Sequence, residues 1–296
     1  MVYNIVIPVI YRDYAFLKTT IKYVQKNLTP RKVVVITDTR FKRYLPKEIE
    51  EDKTCVLVDE NEVIGGLTIE NLKVLFTKLD RTKMHGWYFQ QFLKMAFALS
   101  EYCDTEYYLS WDSDTIPLRK IKFFTEEGKP YFTMKTEHHD PYFVAVERLL
   151  GITRANSRSY IAENMMFNKS IMIELINRIQ SNDLLQGEGW FEKIMYSLEP
   201  ESVSPMGFSE FETYGNYCFN FHPGFYEERT LPSFRKGGLI QGRLISDKIL
   251  EELSFDQATA SFEIYDRPPF PWGIMSYWYA RWQRRKELII RRWYIK

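Results

Sequence analysis

Two aspartates one residue apart, Asp112-Ser113-Asp114, stand where the apolar run Tyr107-Tyr108-Leu109-Ser110-Trp111 stops. A strand that ends this way offers two hard oxygen ligands to Mg2+ or Mn2+ from a rigid edge, and the natural cargo of such a metal is a diphosphate. Roughly one Asp-x-Asp arises by chance in a chain of this length, so the pair gains weight only from its context. Arg81, Lys83 and Lys94 precede the strand, and Arg235-Lys236-Gly237-Gly238 is a basic turn flexible enough to close over an anionic ligand. Each of these cations equally suits a solvated surface.

The elements around the aspartates follow from hydrophobic period. Residues 2–9, 32–37, 54–58 and 106–111 read as strands, and residues 13–27, 67–79 and 87–99 read as helices. Phe16, Leu17, Ile21 and Val24 lie on one face of the first helix. Alternation of this kind predicts an α/β fold with a mostly parallel, doubly wound, Rossmann-like sheet. Ligands of such sheets sit beyond the carboxyl ends of the strands, which places Asp38 and Asp112 at one crevice. Farther along, residues 129–135 and 164–168 suggest strands, and 170–180, 188–198 and 209–217 suggest helices. No repeat or linker divides the chain, so one main domain, 1–271, is expected with an extension at 272–296.

Composition excludes several classes. With 296 residues, 45% hydrophobic and 27% charged, the chain is neither disordered nor membrane-embedded. An aromatic content of 16% suits sugar stacking but is equally the mark of a bulky core. Cys55, Cys103 and Cys218 show no metal-ligand or disulfide spacing, which points to a reducing compartment. Residues 1–8 lack the basic and long apolar regions of a signal peptide, and 268–280 is too short and proline-rich to span a bilayer. A cytoplasmic protein is expected. Charge is uneven, because the segment from Trp272 carries +6 and leaves −5 for the rest, a net of +1.

Four features taken in order resemble the nucleotide-sugar-dependent glycosyltransferases of the GT-A fold, of the polysaccharide-assembly type. They are the opening strand with Pro8, the segment Gly86-Trp87-Tyr88-Phe89-Gln90-Gln91-Phe92-Leu93-Lys94, the Trp111-Asp112-Ser113-Asp114 motif, and Ser209-Glu210-Phe211-Glu212-Thr213-Tyr214-Gly215-Asn216. The resemblance implies transfer of a sugar from a nucleotide-sugar donor, most naturally a UDP-sugar, to a saccharide or lipid-linked acceptor. It also implies a nucleotide-sugar half at 1–120 and an acceptor half at 121–271. Donor contacts would come from Pro8, Asp38, Arg81, Gln91, Lys94, Trp111, Asp112, Ser113 and Lys236. A Mn2+ or Mg2+ ion would bridge Asp114 and the diphosphate, with Asp112 near the ribose or a metal-bound water.

A late histidine often completes such a metal site, and His222 is the candidate, although a histidine flanked by aromatics is as often packed. Ser209-x-x-Glu212 is a capping box, with Glu212 reaching back to the cap amide. That leaves Glu210 at the helix start as the candidate general base of an inverting transfer, which is favoured over a retaining one that needs no base. His138 and His139 would face the acceptor or sit in an exposed turn. In the extension, Met275, Trp278, Trp282, Ile289 and Trp293 share a helical stripe with arginines beside it, which suits an anionic membrane surface or a helix packing its tryptophans on the domain. No nucleic-acid-binding fold accompanies the charge. Two alternatives remain open. Asp112-Ser113-Asp114 resembles the nucleophile loop of haloacid-dehalogenase-type phosphatases, and the aromatic richness fits a non-catalytic carbohydrate-binding protein.

Overall fold

Short runs of β-branched and aromatic residues build the strands, and their burial reports their place. In a computed structural model that describes residues 1–154 and 157–294, without the side chains of Trp293 and Tyr294, ten strands occur. They are β1 (Tyr3–Pro8), β2 (Val33–Thr37), β3 (Cys55–Asp59), β4 (Tyr107–Trp111), β5 (Thr115–Pro117), β6 (Tyr131–Thr133), β7 (Asn164–Asn168), β8 (Glu227–Arg229), β9 (Ser233–Phe234) and β10 (Thr259–Ser261). The principal sheet has five strands in the order β3-β2-β1-β4-β7 and is mostly parallel. β1, β2, β4 and β7 are buried along their whole length, whereas β3 at the edge is half-exposed. The expected strands and helices are present, with bounds shifted by a few residues.

The helices are α1 (Tyr14–Leu28), α2 (Lys47–Glu50), α3 (Ile69–Lys78), α4 (His85–Ala96), α5 (Asp140–Leu150), α6 (Lys169–Gln180), α7 (Trp190–Ser197), α8 (Glu210–Phe221), α9 (Gly238–Gln241), α10 (Asp247–Leu253) and α11 (Trp272–Tyr294). None among the described residues is long and apolar enough to cross a membrane. α5 lies where only a turn around His138 and His139 is expected. Its signals are a proline in the first turn, Pro141, and Gly151 in the left-handed conformation at its end.

The chain divides into two compact units. The first comprises Met1–Val6, Val58–Ser110 and Phe123–Thr230. In it β1 pairs parallel with β4, Tyr3 opposite Tyr107 through Val6 opposite Ser110, and β6 pairs parallel with β8. Its core is aromatic. Phe92 meets Trp190 and Phe208 at ring separations of 5.6 and 5.9 Å, and Phe167 meets Tyr214 edge-on at 4.8 Å.

α8 enters this core with nearly every side chain buried, which is possible because Gly215 lets the helix lie directly on the Tyr160 ring. A methyl group at Gly215 would come within 2.6 Å of Tyr160 Cδ1. The backbone on one side and packed aromatics on the other leave no room to relax. Gly215→Ala is therefore expected to destabilise the protein by about 3 kcal/mol despite the better helix propensity of alanine. Chemical denaturation compared with Gly65→Ala, at an exposed position with open space around it and no left-handed φ, checks this.

The second unit comprises Ile7–Leu57, Trp111–Lys122 and Leu231–Lys296. Here β10 pairs antiparallel with β5 and parallel with β9. The three-stranded sheet packs on α1 through a cluster of Phe16, Tyr23, Ile116, Leu118, Leu250, Ala260 and Phe262. α11 closes the unit, and Lys296, counted in the expected basic tail, lies outside the described residues.

Candidate functional site

β4 delivers Trp111, and the chain then turns at once through Asp112, Ser113 and Asp114. Four hydrogen bonds hold the backbone of this turn within the second unit. Thr115 N donates to Asp112 O at 3.1 Å, Thr20 Oγ1 donates to Ser113 O at 2.7 Å, Phe262 N donates to Asp114 O at 2.9 Å, and Trp111 Nε1 donates to Thr115 O at 2.7 Å. Trp111 is fully buried, so its ring serves the turn and the core. Ser113 is also buried. What the turn presents is the carboxylates of Asp112 and Asp114, at positions with little freedom.

Asp114 does not stand alone. Its Oδ2 lies 3.6 Å from Arg243, a buried guanidinium that also bonds Asp13 and donates through Nε to Phe262 O at 2.9 Å. Burial works against the charge of Arg243, but Asp13 and Asp114 outweigh it and hold the group above its ordinary value. Burial, then the carboxylates of Glu263 and Asp112, push the Asp114 carboxyl well above the usual range against the pull of Arg243. Asp13 is the residue before α1 but makes no capping bond, its carboxylate being given to Arg243 instead. A cleft beside this cluster is lined by Arg243, Glu263, Ile264, Asp266, Ser276 and Tyr279. More acid than base is gathered here, and a cation or a cation-bearing ligand would relieve it.

The other candidates in this unit vary in freedom. Asp38 ends β2, but both of its oxygens are engaged by Arg40, Nε at 2.8 Å and Nη2 at 2.7 Å. Pro8 is buried at the end of β1. Lys236 is exposed, 3.9 Å from Asp266, on the flank of the glycine pair.

In the first unit, Lys94 and Glu210 meet each other. Lys94 Nζ lies 2.9 Å from Glu210 Oε1 with both side chains almost wholly buried, and the ammonium sits over the Phe211 ring at 4.6 Å. Gln91 Oε1 accepts from the Glu210 amide at 3.1 Å, while Gln91 Nε2 is buried without a partner. Arg81 donates to the Glu199 carbonyl. The expected capping box is half formed. Ser209 Oγ accepts from Glu212 N at 3.3 Å, but the Glu212 carboxylate turns inward, accepting from Ser159 Oγ, from Tyr160 N at 2.9 Å and from Asn216 Nδ2 at 3.2 Å. Tertiary donors displaced the local one. Burial raises the Glu212 carboxyl above the ordinary range against those hydrogen bonds.

His222 Nε2 lies 3.0 Å from Glu174 Oε2, a neighbour with no place in the expected ligand set. No group of three His, Cys, Asp or Glu side chains is arranged to hold a metal ion among the described residues. His139 Nε2 is 2.9 Å from Met206 O, and His138 contacts Asp140.

Sequence reasoning missed Asp13, Arg243 and Glu263, which sit on segments far from the aspartates with no motif of their own. Asp13 reads as a helix start and Arg243 as one basic residue among many.

Several solved structures are similar to the chain at low identity. A galactosyltransferase LgtC in complex with donor and acceptor sugar analogues is 11% identical, with 94% of this chain and 95% of that chain covered and a TM-score of 0.46. Mouse xyloside xylosyltransferase 1 in its apo form is 9% identical, with 91% and 100% covered and a TM-score of 0.45. The apo-form glycosyltransferase GlyE of Streptococcus pneumoniae TIGR4 is 12% identical, with 99% and 63% covered and a TM-score of 0.42. No curated protein matches the sequence. One family model matches residues 9–226, most of the chain, and on that ground the protein belongs to the family of unknown function (DUF6492).

Proposed function

We propose that this protein is a GT-A-type glycosyltransferase that moves one sugar from a nucleotide-sugar donor, a UDP-sugar in the first instance, to a saccharide or lipid-linked acceptor. The observation that carries the proposal is the Asp112–Asp114 turn at the carboxyl end of β4, anchored by its backbone and charged beyond its own needs. Two carboxylates suffice for Mg2+ or Mn2+ when the substrate's phosphates and water supply the other oxygens, which suits a metal that arrives with the donor. When bound, the ion neutralises charge developing on the departing nucleoside diphosphate without a proton transfer.

The chain's own residues do the rest. Asp112 and Asp114 hold the ion, and Arg243 supplies a fixed positive charge beside them. Lys236, exposed next to Gly237 and Gly238, has the reach to meet a phosphate oxygen. Transfer breaks the bond between the anomeric carbon and the phosphate oxygen and forms one to the acceptor oxygen, whose proton passes to the departing diphosphate. Glu210, paired with Lys94 and nearly cut off from solvent, is a poorer acceptor for that proton than its place at a helix start suggests. We assign it, with Lys94, to holding the start of α8. A lipid-linked acceptor would place the protein at the cytoplasmic face of a membrane.

A thermal-shift screen tests the proposal. Uridine diphosphate with Mn2+ at 100 times its dissociation constant should stabilise the protein by about 2.7 kcal/mol, roughly 5–10 °C at this size. The shift should vanish with chelator. No response to any nucleoside diphosphate, or one indifferent to chelation, would overturn the metal-dependent donor site.

A further inference from the structure

α11 is held to the second unit by one narrow face. Ser276, Gln283 and Ile290 are buried, and Glu287 lies 3.4 Å from Arg12 and 3.0 Å from Arg291. This face packs on the 3-10 turn Tyr11–Asp13, on α9 and on the turn Gly242–Leu244. Gly242, at a φ of 61°, admits the close approach of Ser276.

A second face, about 110° round the helix from the buried one, is apolar where an exposed helix face is ordinarily polar. Trp278 is 60% exposed, Trp282 56%, Ile289 49% and Met275 48%. At 100° per residue these four fall within one arc of about 60°. The tryptophans expected either to pack on the domain or to face outward therefore face outward, and the side chain of Trp293 lies outside the described residues. Arg281, Arg285 and Arg292 border the apolar arc and Arg284 lies farther round the helix, all four exposed. None of the four has an acidic partner among the described residues, and the helix's one carboxylate, Glu287, is taken by Arg12 and Arg291.

We infer that this exposed face of α11 docks on an anionic lipid surface. A row of exposed guanidinium groups is complementary in charge to an anionic headgroup layer. The aliphatic Met275 and Ile289, set in line with two indoles, find an apolar counterpart in acyl chains and none along a phosphate-sugar backbone. A 23-residue helix, about 35 Å long, lying flat with indoles at the headgroup boundary satisfies both demands at once. The inference goes beyond the donor chemistry of the acidic turn and does not depend on it.

The test is sedimentation of the full chain with vesicles of phosphatidylcholine alone or enriched in phosphatidylserine, at low and high salt. The intact protein should bind only the anionic vesicles, and less as salt rises. Arg281→Gln/Arg284→Gln/Arg285→Gln/Arg292→Gln should weaken binding by about 10³-fold, and Trp278→Ala/Trp282→Ala by about 10²-fold. Both variants should melt with the intact protein, because every altered side chain is exposed. The inference fails if anionic vesicles are ignored at low salt or if either variant unfolds. It fails equally if the tryptophan variant binds as tightly as the intact chain, or if a single-stranded oligonucleotide binds more tightly than the vesicles.

Discussion

Asp114→Asn should abolish the response to Mn2+ and nucleoside diphosphate while leaving the folded protein at least as stable as before. A carboxylate that holds the ion neutralising the departing diphosphate is worth several kcal/mol in the transition state, so turnover of a nucleotide sugar at limiting Mn2+ should fall by about 10³-fold. Stability should move the other way. The folded-state pKa of Asp114 is raised, so above the ordinary aspartate pKa the folded protein retains a proton that the unfolded chain has lost. That linkage lowers stability as pH rises through the window between the two values, and the cost persists at neutral pH. Asparagine removes it, and Arg243 keeps Asp13 as a partner. Melting measured without metal from pH 4 to pH 8 should show the unsubstituted protein losing more stability across that range than the variant. A variant that melts far lower, or still shifts with Mn2+ and uridine diphosphate, would remove Asp114 from the proposed site.

Lys94→Met is expected to cost about 3–5 kcal/mol, because it strands the Glu210 carboxylate in a site with almost no water. Glu210→Gln should do similar harm by stranding Lys94, lowering the melting temperature by roughly 10 °C. Lys94→Met combined with Glu210→Leu should recover most of the loss, since no buried charge remains unpaired. This pattern separates a buried pair from a general base. A base would show little change in melting and a turnover reduced about 10²–10⁴-fold in Glu210→Gln. A normal melting curve with crippled turnover would return Glu210 to the chemistry.

The distinctive Ser209–Asn216 motif shows how sequence specificity and chemistry can part company. Glu210 binds Lys94, Glu212 accepts from Ser159 Oγ and Tyr160 N, Tyr214 Oη accepts from Asn168 N at 2.9 Å, and Gly215 lies under Tyr160. A run so particular reads as catalytic, yet each of these residues has a packing partner distant in sequence that no local pattern announces. The missing half of the capping box has the same reason. The strands of the principal sheet and most helices were legible because hydrophobic period is a local property. Asp112 and Asp114 stand out in the sequence because a polar pair at the end of an apolar strand is unusual in itself. Arg243 and Glu263 were not, since their meaning comes from β10 joining β5 across more than a hundred residues, and both lie beyond the matched stretch 9–226.

The three-part makeup of the second unit has a consequence for synthesis on the ribosome. α1 and β5 must find β9, β10 and α10 to close the Phe16–Phe262 cluster, and those partners come from the last of the unit's segments to be translated. Until then the nascent chain carries an acidic turn whose balancing guanidinium has not yet been made. Completion of the Asp13–Asp114–Arg243 cluster is thereby tied to synthesis of residues 231–262. A chain halted before them would expose a half-built apolar cluster, a form open to capture by chaperones or proteases.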